Sequence, residues 1–512
     1  MPVNRRKLLQ WMGGAGSALV LSRFARAQKR TFLGTRQSLQ AYEVPKWFRD
    51  AKFGIWSHWG PQSAVECGDW YARRMYIQDT PQYLYHCETY GHPSRVGYKD
   101  LINNWKAAQW DPEHLMGLYK KAGAKYFVSM GVHCDNFDLW NSRYTRWNAV
   151  KMGPKRDIVG DWQKAARRQG LRFGVSEHVW LSYKWFSVSH GADKTGSLAG
   201  VPYDGANPQY SDLYHDADCL RFANDKSGWD GKDDGIPESW KDHYLDRMTD
   251  LIDKYQPDLL YSDGHLPFED VGLKMVAHLY NTSAQLHDGV SEAVYNSKQG
   301  TDCAVGTCVL DHERGVSDGI SKNPWQTDTC IGQWHYKRGE QYKTAKKVID
   351  MLTDIVSKNG NLLLNFPLPN SGALDFEELE VLGGITAWMD INSEGIYDSR
   401  PWKIYGEGPS TKVKIVPGNF NEDKQSDLTA EDVRFTTKGT TLYAFVQGRP
   451  SKETAVRALG LKSPQEPGKI QKVEILGYAG EVKWKQEDFC LKVAMPADKL
   501  SDIGITLKVE LA

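Results

Sequence analysis

Short apolar segments alternate with amphipathic helical segments through the first 395 residues, and this alternation constrains the fold more than any other feature. The predicted strands are 53–59, 126–134, 172–178, 259–264, 293–297, 308–313, 325–331 and 361–366. Helical patterns cover 112–122, 159–169, 240–255, 270–286 and 340–357. Strands that alternate with helices indicate a parallel sheet covered by helices. Eight strands predict an α/β fold, a (β/α)₈ barrel over residues 40–398.

Two segments depart from this alternation. Residues 187–239 are rich in Gly, Asp, Asn and Ser and are too long for an ordinary βα loop. We interpret them as an insertion over the barrel mouth, with a disordered surface loop as the alternative. From about residue 405 the chain changes to short alternating strands broken by Gly, Pro and Lys, which predicts a C-terminal all-β sandwich at 405–512.

The first residues have the pattern of a targeting segment. Arg5-Arg6 precedes an apolar stretch at 11–21, and Ala25-Arg26-Ala27 offers a small-x-small cleavage site. This pattern predicts a signal peptide of the twin-arginine type at residues 1–27. The alternative is a membrane anchor, but the apolar run is short for a membrane span. We therefore expect an exported protein, periplasmic or secreted, without a membrane span.

Composition limits the classes of partner. Lys plus Arg equals Asp plus Glu, 64 each, so no basic field is available and we expect no nucleic-acid partner. The eight cysteines are scattered, without a C-x-x-C pair or zinc spacing, although Cys303 and Cys308 are close enough in sequence to bridge locally. The 19 Trp and 25 Tyr residues suit either core packing or stacking on sugar rings. The oligomeric state is not predicted.

Polar and aromatic side chains recur where the predicted strands end. They are Ser57-His58-Trp59, His133-Cys134-Asp135, Glu177-His178, Asp263, Asp311-His312-Glu313 and, around the seventh strand, Trp325, Gln326, Asp328 and Trp334. In a (β/α)₈ barrel the carboxyl ends of the strands carry the active site. Each residue alone fits a capping or packing role; together they predict a pocket of imidazoles, indoles and carboxylates.

The chemistry available to such a pocket depends on metal and carboxylates. His58, His133 and His178 come from three strands and could bind a metal. The His-x-His pair common at the end of a first barrel strand is absent, however, so we expect no metal and no cofactor. Hydrolysis of a glycosidic bond needs two carboxyl groups, one to attack the sugar or activate water and one to protonate the leaving oxygen. Asp263, with Glu313 or Asp328, could supply them.

At these residues the sequence resembles the α-L-fucosidases of glycoside hydrolase family 29. The resemblance lies in 52–60, 69–71, 131–136, 153–157, 261–264, 359–365 and 392–397, in the order that the family has them. It implies a retaining mechanism with Asp263 as the nucleophile. It also implies that His58 and His133 bind fucose hydroxyls and that Trp59 and Trp70 wall the pocket. The other residues that we assign to substrate binding are Asp69, Cys134, His178, Trp325 and Trp334.

Three positions depart from the family pattern. Members usually pair two histidines where this chain has His133-Cys134, and a thiol donates only a weak hydrogen bond. The acidic residue before Trp70 is often Glu, whereas here it is Asp69. Many members place the acid/base Glu in a Trp-Glu-Thr run, which here reads Trp325-Gln326-Thr327, and Gln cannot protonate a leaving group.

The acid/base residue therefore has to come from elsewhere. In another branch of the family it is a Glu in a Glu-x-Gly context, which Glu313-Arg314-Gly315 fits. This favours Glu313 over Asp328.

The resemblance leads to one main hypothesis and two alternatives. The main one is an exported retaining exo-α-L-fucosidase that acts on fucosylated oligosaccharides or polysaccharides through a covalent intermediate. An α-L-galactosidase is the first alternative, since L-galactose differs from L-fucose by one hydroxyl and an apolar wall rejects an added hydroxyl weakly. A catalytically inactive fucose-binding protein is the second, because of Gln326.

Overall fold

The computed structural model describes residues 31–223, 233–303, 306–425, 427–497 and 500–512. The predicted signal peptide at residues 1–27 lies outside the described residues and stays a prediction. Part of the predicted insertion, residues 224–232, also lies outside them.

Eight parallel strands form one closed barrel, in which β8 pairs back to β1 through Phe53 and Leu362. They are β1 Phe53–Ser57, β2 Tyr126–Val132, β3 Arg172–Glu177, β4 Leu259–Ser262, β5 Val294–Ser297, β6 Val309–Glu313, β7 Trp325–Cys330 and β8 Gly360–Asn365. Strands of a parallel barrel are buried on both faces, which explains their nearly continuous apolar runs. The predicted barrel is confirmed.

Helices surround the barrel. The α-helices of ten or more residues in the described ranges are α1 Pro112–Lys121, α2 Ile158–Arg168, α3 Glu238–Tyr255, α4 Asp270–Leu286, α5 Ala345–Ser357 and α6 Phe376–Asn392. Shorter α-helices lie at Arg36–Leu39, Lys46–Ala51, Tyr71–Arg74, Pro81–Thr89, Tyr98–Leu101, Ser182–Trp185, Ser211–Tyr214 and Gly300–Cys303. Side-chain caps fix several starts: Asp157, for example, accepts the N–H of Gly160 at the beginning of α2.

The strands end slightly earlier than the sequence pattern indicates, and this matters for the site. β1 to β4 end at Ser57, Val132, Glu177 and Ser262. His58, His133, His178 and Asp263 therefore stand just beyond the strands, at the carboxyl-terminal rim of the barrel. This is the rim at which barrel enzymes carry their catalytic groups.

The described part of the insertion is folded against the barrel. Asp204 is buried, and its carboxylate accepts hydrogen bonds from Tyr76 and Tyr214 at 2.7 and 2.9 Å. Tyr203 and Tyr83 donate to Asp193 in the same way. These bonds satisfy buried polar groups and hold the segment in one position, unlike a disordered surface loop.

The C-terminal part is built from two antiparallel sheets that share an apolar core. The five-stranded sheet has the order β13-β16-β11-β10-β9 and the three-stranded sheet the order β12-β15-β14. Their strands are β9 Arg400–Glu407, β10 Val433–Lys438, β11 Thr441–Val446, β12 Glu453–Val456, β13 Ile470–Ile475, β14 Trp484–Gln486, β15 Leu491–Ala494 and β16 Ile505–Leu511. Leu442, Leu507 and Val493 contribute to the core from both sheets. This is the predicted all-β unit, although β9 begins at Arg400, ahead of residue 405.

Two further sequence questions have structural answers. Cys303 and Cys308 form a disulfide between β5 and β6. In the described part of the chain, no helix is both long and apolar enough to cross a membrane.

Candidate active site

Asp263 follows β4 directly and is held from three sides. Its backbone N–H donates to the carbonyl of Glu177 at 3.1 Å, which continues the pairing of β3 and β4 by one residue. Its Oδ1 accepts a hydrogen bond of 2.5 Å from Lys298 Nζ, and its Oδ2 lies 3.1 Å from His178 Nδ1. The carboxylate is thus fixed at the bottom of an open cavity.

Lys298 connects Asp263 with a second carboxylate. It stands at the end of β5, and the same Nζ donates to Glu313 Oε2 at 2.5 Å. Asp263 Oδ1 and Glu313 Oε2 therefore lie at most about 5 Å apart, twice the 2.5 Å distance. One buried ammonium group thus contacts both carboxyl groups.

The two carboxylates differ in acidity. Burial raises the pKa of Asp263, but Lys298 and His178 outweigh this effect and hold it well below its usual range. Burial also raises the pKa of Glu313, Lys298 offsets part of the rise, and Asp263 and Asp328 add to it, so that the value is about 7. Near neutral pH, Asp263 is therefore a carboxylate, while Glu313 can carry a proton. Glycosidases use such a pair, in which one carboxyl group is ionised and the other is protonated.

Asp328 was the alternative to Glu313 and has a different environment. Its Oδ2 accepts a hydrogen bond from Tyr261 and lies 3.9 Å from Lys298 Nζ. Its side chain is 1% exposed, whereas that of Glu313 is 17% exposed. Glu313 is therefore the more accessible of the two to a leaving group in the cavity.

Gln326, whose position prompted the inactive-protein alternative, lies inside the barrel. Its Nε2 donates to Asp311 at 2.6 Å, and its Oε1 accepts from Tyr126 at 2.9 Å. Both partners are buried, and Gln326 itself does not line the cavity. A Gln at this position consequently removes no acid from the cavity wall.

Four imidazoles form a cluster on another side of the cavity. The ring centroid of His58 lies 5.2, 4.9 and 4.8 Å from those of His133, His178 and His335. Burial, together with the neighbouring imidazoles, lowers the pKa of His58 and His133 well below the usual value, so both are neutral. A neutral imidazole has one donor and one acceptor, which suits a sugar hydroxyl that does both.

The histidines are also the group best placed for a metal. Among the described residues, the donor atoms of His58, His133 and His335 come within 4.8 Å of one another, a spacing that could hold one ion. Gln62 Nε2 lies 2.8 Å from His133 Nδ1, which leaves Nε2 of that ring for a ligand.

Asp69 and His335 are joined across the rim. The Asp69 carboxylate accepts the backbone N–H groups of Trp334 and His335 at 3.2 and 2.7 Å. It also lies 3.3 Å from His335 Nδ1, whereas His335 Nε2 is buried without a hydrogen-bond partner. Asp69 therefore fixes the loop after β7 and orients a histidine with a spare nitrogen.

The cavity has a volume of about 840 Å³, and aromatic rings form much of its wall. The residues that line it include His58, Asp69, Trp70, His133, His178, Asp263, Glu313, Asp328 and Trp334 from the sequence-based set. Trp56, Tyr261, Lys298 and Phe420 line it as well.

Three of the assigned binding residues do not line the cavity. Side chains alternate along a strand, and Trp56 and His58 face the cavity. Trp59 therefore points away from the cavity, where it packs against Trp105 and Trp110. Trp325 faces outward for the same reason and donates to the Lys358 carbonyl. The structure therefore does not bring these two residues to the cavity surface.

Cys134 is the third residue that the structure places away from the cavity surface. It is 1% exposed and belongs to the hydrophobic core, and burial raises the pKa of its thiol well above the usual value. A neutral, buried thiol away from the cavity surface does not contact a sugar there.

Comparison with known proteins places this geometry in a family. The family model for α-L-fucosidase matches residues 19–394, and the model for the α-L-fucosidase C-terminal domain matches residues 425–510. The chain belongs to the α-L-fucosidases, glycoside hydrolase family 29. It is therefore a glycoside hydrolase, as predicted.

Individual relatives agree with this family over nearly the whole chain. The human tissue α-L-fucosidase is 27% identical over 96% of this chain and 92% of its own length, and the rat enzyme 26% identical over 93% and 92%. The Thermotoga maritima α-fucosidase in complex with a mechanism-based inhibitor has a TM-score of 0.71, with 25% identity over 94% of this chain and 100% of that chain. Its complex with fucose gives a TM-score of 0.68, with 26% identity over 93% and 99%.

Sequence reasoning missed several residues at this fucosidase-family site, among them Lys298, Trp56 and Phe420, which line the cavity, and His335, which belongs to the imidazole cluster. Lys298 directly follows the predicted strand 293–297, a local signal that becomes informative only once the order of the strands is known. Trp56 shares the alternating face of His58. His335 directly follows Trp334, which was selected in the region after the seventh strand, so a local signal existed there. Phe420 lies in a loop between β9 and β10, and no local pattern points to it.

Proposed function

We propose that this chain is an exported, retaining exo-α-L-fucosidase in which Asp263 is the nucleophile and Glu313 the acid/base. The observation that carries the proposal is the lysine bridge, Lys298 donating to Asp263 and Glu313 at 2.5 Å each. Retaining glycosidases keep their two carboxyl groups about 5–5.5 Å apart, while inverting enzymes need more room for a water molecule. The arrangement here supports the retaining class.

The reaction then runs in two displacements. Asp263 attacks the anomeric carbon while protonated Glu313 gives its proton to the glycosidic oxygen, and the leaving group departs. Glu313, now a carboxylate, removes a proton from water, which attacks the anomeric carbon and releases Asp263. Lys298 and His178 stabilise the anionic form of Asp263, which keeps it ready for each cycle.

The histidine cluster supplies the sugar site in this proposal. His58 and His133 are neutral and buried beside the nucleophile, and His335 presents an unpartnered Nε2 in the same cluster. An unsatisfied buried nitrogen is costly unless a ligand pairs with it. We assign the three rings to fucose hydroxyls, with Trp56, Trp70 and Trp334 as apolar walls.

Hydrolysis of an aryl glycoside tests the activity and the mechanism together. The wild type should release p-nitrophenol from p-nitrophenyl α-L-fucoside, and Asp263→Ala should not, with an unchanged circular dichroism spectrum. Proton NMR should detect α-L-fucose before its β anomer. Initial β-L-fucose would contradict retention, and faster release from the α-L-galactoside would contradict the fucose preference.

Export rests on residues 1–27 alone and has its own test. Expression of the full chain in a bacterium should give periplasmic protein whose N-terminal sequence begins at Gln28. The pair Arg5→Lys and Arg6→Lys should retain the precursor in the cytoplasm. A mature protein that still begins at residue 1 or 2 would contradict cleavage.

A further inference from the structure

A segment of the C-terminal part crosses to the barrel and pairs with the residue that carries the acid. We call residues 417–422 the crossover loop. The backbone N–H of Phe420 donates to the Glu313 carbonyl at 2.7 Å, and the N–H of Glu313 donates to Asn419 Oδ1 at 3.0 Å. Farther along, Asn421 Oδ1 accepts from the N–H of Val316 at 2.9 Å. The end of β6 thus pairs with β7 and also forms hydrogen bonds with residues about a hundred positions away.

Gly315 permits this close approach. A Cβ on Gly315 would stand 2.0 Å from the Gly418 carbonyl oxygen, a distance that no side chain tolerates. The glycine of the Glu-x-Gly motif therefore makes room for the crossover loop, and the loop is a built part of the site.

The crossover loop exposes an aromatic ring in the cavity. Phe420 has a left-handed backbone (φ +55°) and lines the cavity together with Asn419 and Glu313, yet its side chain is 61% exposed. An exposed aromatic ring at a cavity wall offers a flat apolar face on which a ligand can pack. The anchoring bonds hold the backbone of Phe420 beside Glu313, so its ring is carried at this side of the cavity.

We propose that Phe420, with Asn419, forms the subsite for the sugar to which the fucose is attached. This inference rests on the proposed function. Glu313 must reach the glycosidic oxygen to protonate it, so the sugar on the far side of that oxygen lies next to Glu313 and against Phe420. An aromatic face packs on the C–H face of a pyranose ring, and the Asn419 amide can donate to a hydroxyl. The favoured substrate is therefore an oligosaccharide with α-L-fucose on a second pyranose.

Two substrates separate this subsite from the chemistry. α-L-Fucosyl fluoride has no second ring, whereas 2′-fucosyllactose has one. Phe420→Ala should lower kcat/KM for fucosyllactose by about threefold to tenfold and leave the fluoride value within about twofold. Phe420→Trp should retain most of the fucosyllactose activity, since it restores a flat ring.

The matched control is Phe489→Ala. Phe489 is also highly exposed, at 77%, but it lies in the C-terminal part and does not line the cavity. The Phe489→Ala variant should leave kcat/KM unchanged for both substrates. Equal losses on both substrates with Phe420→Ala would overturn the inference, because they would indicate displacement of Glu313. An unchanged fucosyllactose value would overturn it too.

Calorimetric binding gives a readout that does not depend on turnover. In an Asp263→Asn background, Phe420→Ala should weaken the binding of 2′-fucosyllactose about threefold or more and leave the binding of L-fucose unchanged. A wild type that hydrolyses neither the fluoride nor the aryl fucoside would refute the proposed function, while this binding comparison would still decide the subsite. Equal affinities with and without the ring would refute the subsite alone.

Discussion

The Asp69 carboxylate contacts His335 twice: it lies 2.7 Å from the backbone nitrogen of His335 and 3.3 Å from Nδ1 of the His335 ring. The sequence assigned Asp69 to substrate binding. The structure gives it a positioning task as well, because the histidine that it orients directs an unpartnered Nε2 into the imidazole cluster.

Replacement of His335 by Phe should therefore weaken sugar binding. We expect KM for the aryl fucoside to rise about tenfold, the value of a lost hydrogen bond to a buried group, with a smaller change in kcat. Asp69→Ala should give a similar rise, and the double variant should lose little more, since both act through one ring. His278→Phe, on α4 away from the cavity, is the control. Additive losses would contradict the coupling.

Glu313 should set the basic limb of the pH profile. In the proposed mechanism Glu313 must be protonated for the first displacement, and its pKa is about 7, so kcat/KM should fall as the pH rises through about 7. The pKa of Asp263 is held far below this range, so the nucleophile stays charged and causes no loss there. A fluoride leaving group needs no proton. The basic limb should hence be present for the aryl fucoside and absent for α-L-fucosyl fluoride, as measured by initial rates from pH 4 to 9.

Lys298 should control that limb, because its charge lowers the pKa of Glu313. Lys298→Met should move the basic limb to higher pH and reduce kcat/KM, since Asp263 also loses a partner that keeps it anionic. Lys298→Arg keeps the charge and should restore the limb near its original pH. If Lys298→Met lowers the activity but leaves the basic limb of the pH profile at its original pH, Lys298 has a packing role only.

Azide should distinguish Glu313 from Asp328. Glu313→Ala removes both the proton donor and the base that activates water, so kcat should fall by about 10² or more, and added azide should restore part of it by attacking the intermediate. The product should be α-fucosyl azide, detectable by mass spectrometry. Asp328→Ala should lose activity without rescue. Rescue in Asp328→Ala alone would reverse the two roles.

Zinc should inhibit the enzyme and chelators should not. In the proposed mechanism only side chains act, so dialysis against EDTA should leave kcat/KM unchanged. Excess Zn²⁺ should compete with substrate by occupying the cluster of His58, His133 and His335. His335→Phe should remove this sensitivity, and a loss of activity on EDTA dialysis would show that a metal takes part.

The sequence predicted the fold well because the barrel is encoded locally. Runs of five to nine residues defined the end of every strand to within two residues at the functional rim, and Asp263 was placed at that rim by its position near the end of such a run. Trp59 and Trp325 were assigned from the family resemblance and from position near a strand end, and neither signal gives the face on which a side chain lies, since side chains alternate along a strand. The sequence around Gln326 likewise did not show that its side chain is a buried partner of Asp311.

The rest of the site depends on contacts between distant segments. Lys298 is informative only when β5 is known to lie between β4 and β6, where it reaches both carboxylates. His335 joins the cluster because a loop folds back onto Asp69, 266 positions away. No periodic pattern in one stretch of chain encodes such a contact.

The dependence of Glu313 on the crossover loop has a consequence for biosynthesis. A growing chain that has emerged only as far as β8 already contains Asp263, Lys298 and the histidines, but the backbone partners of its acid have not yet been made. Fucoside cleavage would then begin only after the C-terminal residues have docked. Activity measured on nascent or C-terminally shortened chains would thus report whether the last step of folding, the docking of the C-terminal residues, has taken place.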